Sequence, residues 1–173
     1  AGYDVALPTE YAYKSKSEGG IWEEGDLRRD ESIRYDFTYL GITPTEVSWG
    51  ADELDPHIKK YEDERTDQFN GNLANEWYSG KNFIVLRYAD VLLCYAECLN
   101  ELGETGEANT VVNQVRARAW GGTLPNEMAW NYGQDEFRVQ IMDERIRELC
   151  FEGWRRMDLI RTGKFVELIK ERN

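Results

Sequence analysis

The chain has 173 residues, with 33 acidic against 21 basic side chains, a formal net charge of −12 and one histidine. A surface of that sign repels phosphate backbones, which excludes nucleic acid as a partner, and no apolar run of about 18 residues is present to span a bilayer. At this length one domain is expected, able to bury roughly 70 % of the surface its unfolded chain exposes, without disulfide or metal staples. The opening residues, AGYDVALPTEY, carry neither a charged n-region nor an apolar h-region, so no signal peptide is expected within this sequence.

Residues 1–80 form a loop-rich third, dense in Gly, Asp, Glu, Tyr and Trp and without a helical period. Turn chemistry dominates residues 17–25, where Gly19 and Gly20 supply backbone freedom. Residues 30–40 partly alternate, with Ile33, Tyr35, Phe37 and Tyr39 on one side, and read as a strand. Residues 43–49 either pair with it or remain loop, and Pro44 argues against a central position. The charged stretch 52–67 reads as a solvated loop or short helix anchored by Ile58 and Tyr61.

From Phe83 onward the period is helical, making residues 81–173 a helical scaffold. Residues 82–120 predict two helices joined by a tight turn. The first places Leu92, Tyr95, Ala96, Leu99 and Leu102 on one face, and the second Ala108, Val111, Val112, Val115 and Ala119. Gly103 and Gly106 bracket the turn, and Ala96 and Ala108 are small enough for a close crossing, the pattern of a tetratricopeptide-like hairpin. After a Gly/Pro connector, a third helix over 134–152 carries Phe137, Ile141, Met142, Arg145, Ile146, Leu149 and Cys150 inward, with Asp135 near its N-cap. A fourth over 154–162 points Met157 and Ile160 inward, and a fifth begins at Phe165. The fold class is therefore mainly α, with little or short β structure in the N-terminal third.

Several groups invite chemistry. Cys94 and Cys98 lie one helical turn apart, but without a second pair or a nearby histidine they and Cys150 read as buried free thiols. Glu144, Arg145, Arg147, Glu148, Glu152, Arg155, Asp158 and Arg161 offer paired carboxylates of the kind glycosidases use, yet charges at this helical spacing form structural networks more often than active sites. His57 has no nucleophile in a recognisable motif beside it, and the acidic run around it lacks the spacing of a calcium loop. No catalytic, metal or cofactor site is predicted. The loop aromatics Tyr11, Tyr13, Trp22, Trp49 and Trp77 are the candidate ligand-binding residues, because sugars stack C–H faces on indole and phenol rings while polar neighbours read their hydroxyls. Against this stands a core role for the same rings.

Four ordered blocks, EEGDLRRD (23–30), NFIVLRYADVLLCYAECLNELG (82–103), ANTVVNQVRARA (108–119) and ERIRELCFEGWRRMDLIRTGKF (144–165), resemble the SusD/RagB family of outer-membrane nutrient-binding lipoproteins. The resemblance implies a superhelix of tetratricopeptide-like hairpins overlaid by an irregular ligand-binding portion. It implies a non-catalytic, cell-surface protein that captures oligosaccharides, less often peptides, for a SusC-like TonB-dependent transporter. The lipid-attachment cysteine, the N-terminal repeats and the closing segment of the family pattern are missing, and Trp154, Arg155, Arg156 and Met157 stand where many relatives have an aromatic pair. The expectation is a single-domain fragment whose membrane contact is made through a lipid anchor outside this chain. The alternatives are a tetratricopeptide-type scaffold binding a protein through a groove with Asn100, Asn113 and Arg116, and, more remotely, a glycoside hydrolase using Glu148.

Overall fold

The computed structural model describes residues 7–35, 55–62 and 81–172. In chain order it contains α1 (Glu10–Tyr13), a 3-10 turn (Lys16–Glu18), α2 (Arg28–Ser32), β1 (Ile33–Arg34), β2 (His57–Ile58), α3 (Tyr88–Glu101) and α4 (Thr105–Ala119). A second 3-10 turn (Asn126–Met128), α5 (Gln134–Glu148), α6 (Arg155–Arg161) and α7 (Phe165–Arg172) complete it. The fold is mainly helical with a loop-rich N-terminal part. Among the described residues no helix is long and apolar enough to cross a membrane.

The α3–α4 hairpin forms as its small residues require: Ala96 and Ala108 are both fully buried at the crossing. Gly103 ends α3 at φ +86°, and the Glu104 amide donates to the Leu99 carbonyl at 2.9 Å, closing the helix terminus. The face of α3 differs from the expected one. Leu93 is buried and Leu92 only partly, while Tyr95 and Leu102 point to solvent. The period fits either set of residues, and the position of α5 decides between them. The Asn100 side chain donates to the Gln134 carbonyl at 3.1 Å and the Gln134 side chain to the Asn100 carbonyl at 2.6 Å, fixing the rotation of α3 about its own axis.

Helix α5 buries Phe137, Ile141 and Met142 as its stripe predicts and Ile146 in part, Leu149 and Cys150 are buried just beyond its end, and its N-cap is Gly133 rather than Asp135. The α6 expectation fails: Met157 and Ile160 are exposed and Asp158 is buried. Arg145 donates to Asp158 at 2.8 Å and pairs with Asp90 at 2.9 Å, so a buried cation, rather than apolar burial, sets the rotation of α6. Cys94 and Cys98 are also exposed, because they lie on the solvent side of α3, and only Cys150 is buried, where loss of water pushes its thiol up to about 12. In the N-terminal part Ile33 and Arg34 pair antiparallel with Ile58 and His57, a two-residue ladder. The expected strand partner at 43–49, together with Phe37 and Tyr39, lies outside the described residues.

The charged constellation on α5 is buried rather than solvated. Glu144, fully enclosed, accepts from Arg28 at 2.7 Å, Arg116 at 2.9 Å and Arg147 at 2.8 Å. Glu148 accepts from Arg28 at 2.9 Å and also from Arg87 and Arg118, and Glu152 from Arg87 at 2.8 Å. Asp26 grips Arg28 through two nitrogens at 2.9 and 2.6 Å, and Glu23 accepts from Arg116 at 2.6 Å. Burial alone would raise the Glu144 carboxyl, but Arg28, Arg147 and Arg116 together hold it far below the usual carboxylate range.

Two stability outcomes follow from this packing. Leu99→Ala is expected to cost about 2–5 kcal/mol in chemical denaturation, since Leu99 is enclosed between helices; a midpoint unchanged from the parent would place the hairpin face elsewhere. Glu144→Gln is expected to cost about 3–5 kcal/mol by leaving three buried guanidinium groups under-compensated. The folded Glu144 carboxyl is depressed, so its contribution is complete above about pH 4.3, where the unfolded glutamate ionises, and declines as the pH falls below that. Urea titrations across the acid range should show this slope in the parent and a flatter one in Glu144→Gln.

Candidate functional site

The buried carboxylates of α5 fit a structural role. A general acid needs a carboxyl held protonated near neutrality, and Glu144 is driven the opposite way by three guanidinium neighbours. What the network does is position segment 23–30. Arg28 runs inward to Glu144 and Glu148, and its neighbour Arg29, half-buried, turns toward a pair of tyrosines.

Tyr13 ends α1 and Tyr35 follows β1, and their rings meet edge to face with centroids 5.4 Å apart and planes at 73°. The Arg29 guanidinium carbon lies 5.7 Å from the Tyr13 centroid and 5.6 Å from that of Tyr35. Arg29 Nε donates to Asp30 Oδ1 at 2.8 Å, the Tyr35 hydroxyl donates to the same oxygen at 3.2 Å, and Lys59 Nζ donates to the Asp30 carbonyl at 2.8 Å. Burial raises the Tyr13 phenol above its ordinary value, and burial with the Asp30 carboxylate does the same for Tyr35, so both stay protonated hydroxyl donors. Burial opposes the Arg29 charge, but its hydrogen bond to Asp30 together with the charge of Asp30 and the neighbouring Tyr35 and Tyr13 outweighs that and raises its pKa. Two partly exposed rings, an exposed carboxylate and a fixed cation are thereby gathered at one surface point. That combination can meet the C–H face and the hydroxyl groups of a polyol.

The sequence-predicted aromatics divide. Tyr13 belongs to this cluster. Tyr11 is half-buried and packs on a small core of Ile21, Trp22 and Cys150. Trp22 is 1 % exposed and donates its indole N–H to the Ala12 carbonyl at 2.6 Å; a ring so enclosed packs in the small core with Tyr11 and offers a ligand no face. Trp49 and Trp77 lie outside the described residues. Sequence reasoning missed Tyr35, assigned to a strand face, and Arg29 and Asp30, read only as parts of a block. Their signal was the alternation of charge and ring around a short helix. Among the described residues no three His, Cys, Asp or Glu side chains converge as metal donors.

Comparison with known proteins places these elements. The sequence model of the SusD family matches residues 8–172. One SusD-like protein of Formosa agariphila is 41 % identical over 155 residues, covering 86 % of this chain and 28 % of the relative. A second from the same organism is 34 % identical over 169 residues, covering 92 % of this chain and 32 % of the relative. The crystal structure of a SusD homolog from Bacteroides thetaiotaomicron superposes with a TM-score of 0.62 at 28 % identity, over 85 % of this chain and 32 % of that one. The chain thus spans about a third of the length of these relatives. The match of the family model over residues 8–172, with the agreement of these relatives over nearly the whole sequence, makes the chain a member of the SusD family.

Proposed function

We propose that this chain contributes to the binding of nutrient glycans without transforming them. In the whole protein the bound oligosaccharide then passes to a SusC-like TonB-dependent transporter at the outer membrane, the protein being held at the cell surface by a lipid anchor. Membership of the SusD family supports a nutrient- or glycan-binding role at the family level. The observation that carries the reading to this chain is the Tyr13–Arg29–Tyr35–Asp30 cluster, in which rings, donors and an acceptor are held together on a rigid base. Tyr13 and Tyr35 form the stacking surface, Asp30 and Arg29 read hydroxyls, and Tyr11, Trp49 and Trp77 remain proposed neighbours of the ligand.

The protein-scaffold alternative draws little support from the residues it relied on. Asn100 and Arg116 are 1 % exposed, and the Asn113 side chain is engaged with Trp130, donating to its carbonyl at 3.1 Å and accepting from its amide at 2.8 Å. These groups hold the fold together from within.

Isothermal titration with maltohexaose, cellohexaose and xylohexaose tests the proposal. Tyr13→Ala and Tyr35→Ala are each expected to weaken the bound saccharide about tenfold, or 1.4 kcal/mol. Undiminished binding by both variants would remove the cluster from the site. Chromatography after prolonged incubation should return the saccharide intact, and new reducing ends lost on Glu148→Gln would reverse the non-catalytic assignment.

A further inference from the structure

Trp120, the residue after α4, was not among the aromatic candidates and has a setting of its own. Its ring is half-buried and rests on the Arg116 guanidinium, whose carbon lies 4.9 Å from the ring centroid and 5.3 Å from that of Trp130. Arg116 is immobilised by the Met128 carbonyl at 2.8 Å, Glu144 at 2.9 Å and Glu23 at 2.6 Å. The indole is therefore fixed in plane by a cation that cannot move away. Holding a ring in place before binding lowers the ordering cost of a ligand stacked on it.

The indole N–H has no acceptor among the described residues, in contrast to Trp22, whose N–H is spent on a carbonyl. The surroundings are low. Gly25, at φ +83°, lies against Nε1, where a Cβ would stand 3.5 Å away, and Gly121 lies beside Leu27. At Gly122 a Cβ would meet nothing. Leu27 is 53 % exposed, and its amide donates to the Ala119 carbonyl at 3.0 Å, which holds the loop of segment 23–30 beside the end of α4. A positioned indole, an adjacent exposed alkyl group, an unspent donor and glycines in place of blocking side chains suit a flat ring with apolar C–H groups on one side and hydroxyls at its edge.

We propose that Trp120, with Leu27 beside it, is a second stacking platform for a neutral saccharide, whose hydroxyl accepts the indole N–H. This rests on the glycan-binding reading above and adds a station at the Gly25–Leu27 end of segment 23–30, whereas Tyr13 and Tyr35 meet it at Arg29 and Asp30. Both platforms are tied to one segment, so a glycan chain rather than a single sugar is the ligand class.

The test follows the indole N–H resonances of the intact chain by NMR, assigned with Trp120→Phe, during titration with the same three hexasaccharides. The Trp120 signal should shift saturably while the enclosed Trp22 signal stays in place. Trp120→Ala should weaken binding about tenfold with unchanged circular dichroism, and Trp120→Phe, which keeps a ring, should recover most of it. Binding that Tyr13→Ala weakens but that leaves the Trp120 signal unmoved overturns this inference alone. Absence of binding to all three saccharides overturns the glycan reading and this inference together, and an indole shift produced only by a protein ligand would replace the saccharide with that partner.

Discussion

The structure depends on one carboxylate held by three guanidinium groups. Glu144, on the middle helix of the scaffold, is completely enclosed and accepts from Arg28 of the N-terminal segment, Arg116 of the hairpin and Arg147 of its own helix. Desolvating such a charge costs several kcal/mol and is offset only when every neighbour is placed to return the attraction. That requirement joins three stretches of sequence more strictly than apolar packing could, since an apolar contact tolerates sliding and a forked hydrogen bond does not.

The consequence for function is positional. Segment 23–30 has little apolar material and no regular structure beyond the start of α2, yet Asp26, Arg28 and Glu23 each engage the network. Arg28 and Arg29 are adjacent and turn in different directions, one anchoring the segment and the other ordering Tyr13 and Tyr35. Arg116 repeats this duality, accounting for part of the charge of Glu144 while supporting Trp120. Cations of the network, or directly beside it in sequence, therefore orient rings at the surface of the scaffold. Loops carried by a rigid frame are a common setting for binding residues in general, and here the frame reaches the loop through salt bridges.

Irregular features have matching explanations. Phe151 adopts φ +62°, unusual for a residue with a Cβ, and its ring packs on the core of Ile21, Trp22 and Cys150. The backbone there turns sharply after α5 so that Glu152 can reach Arg87, at the start of α3, and Lys60, beside β2. Asn109 and Asn113 hold the extended chain around residues 130–132 to α4 by paired bonds to backbone amides and carbonyls, a substitute for a further helix turn.

The sequence by itself determined the helical hairpin, the α5 stripe, the glycine stop at Gly103 and, through four blocks in order, the family. Period and residue size act locally, so they are legible without coordinates. It did not determine how α3 and α6 rotate about their axes, because Tyr95, Leu102, Met157 and Ile160 satisfy an apolar period equally well facing in or out. Asn100 and Asp158 made that choice, through partners far away in sequence. Nor could spacing show that Glu144 and Glu148 are enclosed rather than solvated, or separate Trp22 from Trp120, two tryptophans in polar surroundings, one sealed in a core and one half-buried. Burial is a property of what arrives from elsewhere in the chain, and only the tertiary structure brings it.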